Sequence, residues 1–268
     1  MSKRRKPAVE RYHDRVAPRY DDSYDDAYWR WHDALTWDHI KPHLPTNLRA
    51  PVLDLGCGTG KWAMRLSRSG YTVACVDISQ SMLEQARRKL SETGDERASF
   101  HRADLVDMSG LPAGHFALAL ALGDPIGCAE SPARALKEIR RLLTPDGKLI
   151  ATFDNRLNAI EFYLQTADTE QLTEFLRTGR TNWLTRDRDE RFEIATYTPA
   201  QVRKLLESAG FEIVDMIGKT VLPMRHHRPL LEDAAAARTW MKIEKSLCRD
   251  EAAMGRAAHL QVVASPGG

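Results

Sequence analysis

The stretch Pro51 to Lys61, PVLDLGCGTGK, decides how the chain is read. It opens on an apolar run, Val52, Leu53 and Leu55, broken by one acid, Asp54. Such a run suits a short buried strand of a parallel sheet. Three glycines follow at alternate positions, Gly56, Gly58 and Gly60, and then Trp62, Ala63, Met64 and Leu66, which suit a helix lying on a sheet. Glycine permits positive φ and lets a ligand lie directly on the backbone. In an open α/β sheet that ligand sits beyond the carboxyl end of the strand, beside a helix N-terminus.

Tyr71 to Asp77 reads as a second apolar strand ending in a carboxylate. An acid in that place can accept the hydroxyls of a ribose. The loop departs from the dinucleotide fingerprint, because its third glycine comes one residue early. It also lacks the GK[ST] of a phosphate loop, since Lys61 is followed by Trp62. A ligand with a ribose and no phosphates fits best.

DLGCGTG followed by VDIS at Val76 to Ser79 resembles the class I S-adenosylmethionine-dependent methyltransferases, and more narrowly the small-molecule branch of the ubiquinone and menaquinone type. The resemblance runs from Tyr12 to about Phe153, and more weakly over Thr198 to Ala264. It implies a Rossmann-like sheet of seven strands, mostly parallel with an antiparallel last strand, and helices on both faces. It also implies S-adenosylmethionine as cofactor and S-adenosylhomocysteine as product. Asp54, Gly56, Cys57, Gly58, Gly60, Asp77, Ile78 and Leu122 then line the cofactor. Asp104 takes the adenine amino group, and the backbone amide of Leu105 meets an adenine nitrogen. The segment Arg11 to Asp21 is similar to an N-terminal motif whose tyrosines, here Tyr12 and Tyr20, reach the cofactor carboxylate. RRLLTPDGKLIATF, at 140–153, matches the family pattern of the fifth strand.

The rest of the chain is organised around that core. Residues 1–8 read as a disordered tail and 9–268 as one domain. Residues 9–43 are rich in aromatics and read as two helices meeting near Pro18, forming a lid. Tyr20, Tyr24 and Tyr28, spaced by four, are expected on one helical face. Ser79 and Ser131 are N-caps, the latter followed by Pro132, and Thr198 with Gln201 has capping-box spacing. Phe116 to Leu122 is the central strand, Lys148 to Phe153 the next, Phe211 to Ile217 the sixth and Leu260 to Ala264 the last. Residues 155–197 read as an insert over the acceptor site, helical and then charged, with an extra strand from Glu190 to Tyr197.

Acceptor contacts are expected at the carboxyl edge, from Asp124, Asp154 and Arg156. Asp124, Asp154, His13 and His115 are the nearby groups able to take a proton, and none of them is singled out as the base. The four cysteines, Cys57, Cys75, Cys128 and Cys248, have no metal spacing, and no metal is expected. Their pattern suits a reducing, cytoplasmic compartment. A net charge of +2 leaves no strong electrostatic footprint for nucleic acid. No run approaches a membrane span. The reading that results is methyl transfer to an O, N, S or C nucleophile of a small molecule, by a monomer or homodimer. The basic tail and Arg225-His-His-Arg228 leave tRNA or protein as an alternative acceptor. A non-catalytic cofactor-binding protein is a second alternative.

Overall fold

The computed structural model describes residues 6–92, 97–182 and 191–267. Helix α1 (Ala8–Val16) leads through two 3-10 turns, ending at Tyr24, into α2 (Ala27–Ile40). The first α/β half follows: β1 (Val52–Leu55), α3 (Lys61–Arg68), β2 (Val73–Asp77), α4 (Gln80–Glu92) and β3 (Ser99–Arg102). The second half begins with β4 (Phe116–Ala121), a short α5 (Pro125–Cys128), α6 (Pro132–Leu142) and β5 (Leu143–Asp154). The insert consists of α7 (Arg156–Thr166), α8 (Thr169–Thr178) and the two short strands β6 (Arg180–Thr181) and β7 (Ile194–Ala195). Then come α9 (Pro199–Ser208), β8 (Phe211–Lys219), α10 (Ala234–Leu247), α11 (Glu251–Met254) and β9 (His259–Pro266).

Seven strands form one sheet in the order β3-β2-β1-β4-β5-β9-β8. Every pair from β3 to β5 is parallel, and β9 runs antiparallel between β5 and β8. This is the sheet expected from the sequence. The order reverses between β1 and β4, and the carboxyl edge at that switch point is where an open α/β sheet binds its ligand. The strands carry apolar side chains on both faces. Leu53, Leu55, Ala119, Ala121, Leu149 and Ala151 face one core, shared with α6 and α9. Val52, Cys75, Leu118, Leu120 and Ile150 face the other, with α3 and α4. This period of two places Asp54 on the α3 side of β1.

Local signals mostly decide the helix starts. Ser131 Oγ accepts from the Arg134 amide and Pro132 opens α6. Thr198 and Gln201 close a reciprocal capping box. Two expectations are corrected. Tyr20, Tyr24 and Tyr28 do not share a helix: Asp26 caps a new one by accepting from the Trp29 amide. Tyr20 and Tyr24 stay in the 3-10 turns with ring centroids 4.9 Å apart, whereas Tyr28 packs with Trp31, Met224 and Leu231. The strand expected from Lys148 begins at Leu143 instead, with Thr144 to Gly147 as an excursion within it, and the pairing with β4 shifts there from Leu143 to Lys148.

The aromatic front therefore divides into two parts. Helix α2 is a wall, with Trp37 and Ile40 in the core of the sheet and Tyr28 and Trp31 against the C-terminal helices. The 3-10 turns lie over the glycine loop, with Tyr20 beside Gly58 and Asp21 on Thr59, and α1 lies alongside with Asp14 on Ser79. Helix α1 begins at Ala8, and Lys6 just before it pairs with Glu10 and Asp14. Part of the insert read as charged, 183–190, lies outside the described residues, and its extra strand is limited to β7.

Candidate functional site

The three loop glycines all have positive φ, at 60°, 52° and 84° for Gly56, Gly58 and Gly60. They serve different neighbours. A Cβ on Gly56 would lie 2.5 Å from Pro125 Cβ, so the loop is pressed onto the start of α5. A Cβ on Gly60 would lie 3.0 Å from Ala86 Cβ, against α4. Around Gly58 the only atom of the described residues within 4 Å of such a Cβ is Tyr20 Cε1, at 3.9 Å. Gly58 is thus the floor on which a ligand can lie. Gly58→Ala is expected to keep the sheet while weakening cofactor binding at least tenfold, because the new methyl would occupy the ligand's place. Gly60→Ala should chiefly lower the melting temperature. Calorimetry paired with thermal melts separates the two outcomes.

Asp77, at the end of β2, is buried, and burial raises its pKa. Its Oδ2 accepts from the Gly58 amide at 2.9 Å and its Oδ1 from the Ser79 amide at 2.8 Å. Each carboxylate oxygen can still accept another bond, so two hydroxyls of a ribose fit this acid. Asp54 lies beneath the loop. It takes the Ala63 amide in the first turn of α3, while its Oδ2 has no partner and burial pushes its carboxyl up to about 7. Cys57 and Leu122 are buried beside it, and Ile78 is half-buried after β2. Asp104 follows β3 and accepts the Val106 amide at 3.1 Å, with Leu105 buried next to it.

Over this floor lie Tyr12, His13, Tyr20 and Tyr24. Burial, together with Tyr24, Tyr12 and Asp77, raises the Tyr20 phenol well above its ordinary value, so it stays a hydrogen-bond donor. Phe192, a residue the sequence reading did not identify, reaches in from the insert to within 5.7 Å of the Tyr12 ring and 6.0 Å of the His13 ring. The cover is tied down by polar contacts. Ser79 Oγ donates to Asp14 at 2.6 Å, Thr59 Oγ1 donates to Asp21 at 2.6 Å, and Arg102 pairs with the buried Glu10.

A second group of polar side chains stands at the same edge. Asp124 follows β4, Asp154 ends β5 and His259 opens β9, directly opposite Asp154 in the antiparallel register. His259 Nε2 is 3.4 Å from Asp154 Oδ1 and 3.8 Å from Asp124 Oδ2. Lys219, buried at the end of β8, donates to Thr36 Oγ1 at 3.0 Å. His32 of α2 stacks edge-on to His259, with ring centroids 5.5 Å apart. Burial pushes Asp124 up to about 6 and, with Asp124 beside it, raises Asp154 well above the carboxylate range. It holds His32 down at about 4 and His259 well below its ordinary value, so both imidazoles are neutral, and it lowers Lys219 to about 8. Asp124 and Asp154 are thus brought together as expected, while His259, His32 and Lys219 escaped the sequence reading. Arg156 is not part of the group. Its guanidinium lies under Gly179 and donates to the Thr196 carbonyl at 3.3 Å, bracing the insert. His115 is exposed at the opposite, amino end of β4, so it is removed from the candidate bases.

A family model described as a methyltransferase domain matches residues 52–147, which hold the glycine loop, Asp77, Asp104 and Asp124. Over residues 52–147 the chain is thus similar to the methyltransferase domain family, in line with the resemblance of its glycine loop to the class I S-adenosylmethionine-dependent enzymes. Over 99 residues it is 34% identical to a demethylmenaquinone methyltransferase of Clavibacter sepedonicus, covering 37% of this chain and 39% of that protein. Over 179 residues it is 27% identical to a ubiquinone biosynthesis O-methyltransferase of Thiobacillus denitrificans, covering 65% and 69%. The match thus spans well under half of the first relative's length. Among solved structures, an S-adenosylmethionine-dependent methyltransferase from Mesorhizobium loti aligns with a TM-score of 0.60 at 21% identity, over 86% of this chain and 97% of that one. The 4+2 cyclase SpnF aligns at 0.55 and 20% identity, over 86% and 80%. These structural likenesses speak for the fold, and a methyltransferase fold also carries other chemistry.

Proposed function

We propose that this protein is a methyltransferase that moves the methyl group of S-adenosylmethionine to a small molecule held between the glycine loop and the group of Asp124, Asp154, His259 and Lys219. The observation that carries this reading is the contact of Gly56 with Pro125, the residue after Asp124. It sets the glycine loop directly beside the turn that carries Asp124, which supports reading the cofactor cradle and the buried polar group as parts of one site. The relatives named for menaquinone and ubiquinone biosynthesis favour a small organic acceptor.

When bound, the cofactor supplies an electrophilic methyl carbon on a sulfonium. The protein's share is to hold the acceptor atom in line at about 3–3.5 Å and to keep water out. Asp77 and Gly58 would fix the ribose end, and Tyr12 and Tyr20 the amino-acid end. Asp124 and Asp154 offer oxygens able to orient, or take a proton from, an acceptor hydroxyl or amine. All four cysteines are free, which supports a reducing compartment such as the cytoplasm. No helix among the described residues is long and apolar enough to cross a membrane.

Calorimetry with S-adenosylmethionine and S-adenosylhomocysteine should give one site per chain. Purified protein with methyl-labelled cofactor should then label a component of a small-molecule extract and leave total tRNA unlabelled. Absence of heat at millimolar ligand would remove the methyltransferase reading, and binding without transfer to any pool would favour a non-methylating use of the fold.

The cover over the loop is proposed to act as a lid limited to residues 8–24. Hydrogen exchange should slow there on binding S-adenosylhomocysteine, while α2 and the central strands are protected with or without ligand. Equal protection of residues 8–24 in both states would make this segment a fixed wall and move the acceptor's entrance to the insert.

A further inference from the structure

We propose that Asp124, Asp154 and His259 form a binding site for one divalent transition-metal cation of the Mn2+ or Zn2+ type. The three side chains come from the ends of three neighbouring strands, and Asp154 and His259 are opposed by the register of the sheet itself. One donor atom from each lies within 4.8 Å of the others. The separations of 3.4 and 3.8 Å from His259 Nε2 to the two carboxylates are long for hydrogen bonds. They are close to the spacing of ligand atoms around a shared ion, roughly 3.4 Å for four ligands at about 2.1 Å. Two carboxylate oxygens and an imidazole nitrogen form the mixed O/N donor set that borderline divalent ions accept.

Two polar atoms of these side chains are also left without partners, although the Asp124 carboxylate is reached by the Thr152 hydroxyl. Asp124 is 8% exposed, yet its Oδ1 has no hydrogen bond, and His259 Nδ1 has none either. Asp124 precedes the first residue of α5 but makes no side-chain cap, and its backbone is held at φ 62° by Thr152 Oγ1, which accepts the Gly123 and Asp124 amides. A non-glycine residue kept in that region marks a site where orientation matters more than local comfort. Lys219, the neighbouring buried cation, donates to Thr36 instead of closing on either carboxylate. The comparable trio His39, His43 and Asp215 shows the contrast: Asp215 Oδ2 is already held by Arg249 at 2.6 Å and His39 at 3.0 Å. The ligands of the proposed site are far apart in the chain, so no local spacing marks them. An ion there would bind an oxygen of the acceptor and favour its deprotonated form. That role rests on the proposed methyl transfer, whereas the binding itself does not.

The test uses the full chain, freed of metal by a chelator and then dialysed. Titration calorimetry with MnCl2 and ZnCl2 should find one ion per chain, and the melting temperature should rise with ion concentration. Asp124→Asn and His259→Gln should each weaken binding at least tenfold, while Asp215→Asn leaves it unchanged. The electron paramagnetic resonance spectrum of bound Mn2+ should show coupling to one imidazole nitrogen, a readout on the unmutated protein that does not depend on how the variants fold. Absence of binding at millimolar ion, undiminished binding in both ligand variants, or a Mn2+ spectrum without nitrogen coupling overturns the assignment. S-adenosylhomocysteine titrated into the same samples separates the two readings. Cofactor binding without metal binding refutes only this site, and loss of both refutes the proposed function as well.

Discussion

Replacing Asp77 with alanine is expected to lower the affinity for S-adenosylhomocysteine about a hundredfold or more. Two charge-assisted hydrogen bonds to the ribose would be lost, each worth roughly 1.5–3 kcal/mol, and each 1.4 kcal/mol is about a factor of ten. The same carboxylate holds the Gly58 and Ser79 amides, so its removal also loosens the loop on which the ligand lies. Asp77→Asn separates these effects. It retains one oxygen for an amide and loses the charge, so its affinity should fall between those of the native protein and the alanine variant. Circular dichroism should show the sheet intact in both, since β2 is packed on both faces by Val73, Cys75 and Val76. Native affinity in a folded Asp77→Ala protein would place the ribose elsewhere.

How far the sequence reveals this architecture depends on whether a feature is local. The strands were legible because Val52 to Leu55, Val73 to Asp77 and Phe116 to Ala121 are apolar runs that a parallel sheet buries on both faces. The caps at Ser131 and Thr198 were legible because their partners lie three residues away. The glycine loop was legible as a loop, but the separate tasks of its glycines were not. Pro125 and Ala86, which crowd Gly56 and Gly60, are brought there by the packing of α5 and α4. The aromatic front misled for a similar reason. A spacing of four between Tyr20, Tyr24 and Tyr28 suggests one helix face, and the cap at Asp26 ends that helix before it forms.

The acceptor edge shows the same limit more sharply. Asp124 and Asp154 follow the fourth and fifth strands, where the fold puts its ligands, so order along the chain sufficed to find them. His259 faces Asp154 only because β9 pairs antiparallel with β5, and pairing between distant strands is not written in either strand alone. The available signal was a histidine at the start of the apolar run HLQVVA. For Lys219 it was a lysine closing the run FEIVDMIGK, which ends 2% exposed. A charged residue at the carboxyl end of a buried strand deserves a site reading before a surface one, since ionisable groups are seldom fully buried without a partner or a task.

Asp54 provides the second large effect, this time on stability. Burial raises its carboxyl from 3.8 to about 7, and the Ala63 amide only partly offsets this. An acid that holds its proton more tightly in the folded chain favours folding while it is protonated in both states, below about pH 4. That contribution declines as pH rises and is lost once pH passes about 7, where the fold must bury a charge. The displacement corresponds to about 4 kcal/mol, an order-of-magnitude figure for a residue 1% exposed. Asp54's own share of the stability should therefore fall between pH 4 and pH 8, while the buried neutral His32 and His259 act in the opposite sense. The native protein and an Asp54 variant are thus compared by urea denaturation at both pH values without cofactor. Asp54→Asn, which carries no charge at either pH, should lose that share of the slope. Its stability relative to the native protein should improve by several kcal/mol from pH 4 to pH 8, even if the amide is the poorer partner for Ala63 at low pH. A native-to-variant difference that is the same at both pH values would mean that Asp54 titrates as an ordinary carboxyl. The loop would then have to admit water beneath Gly56, contrary to the close packing of Gly56 on Pro125.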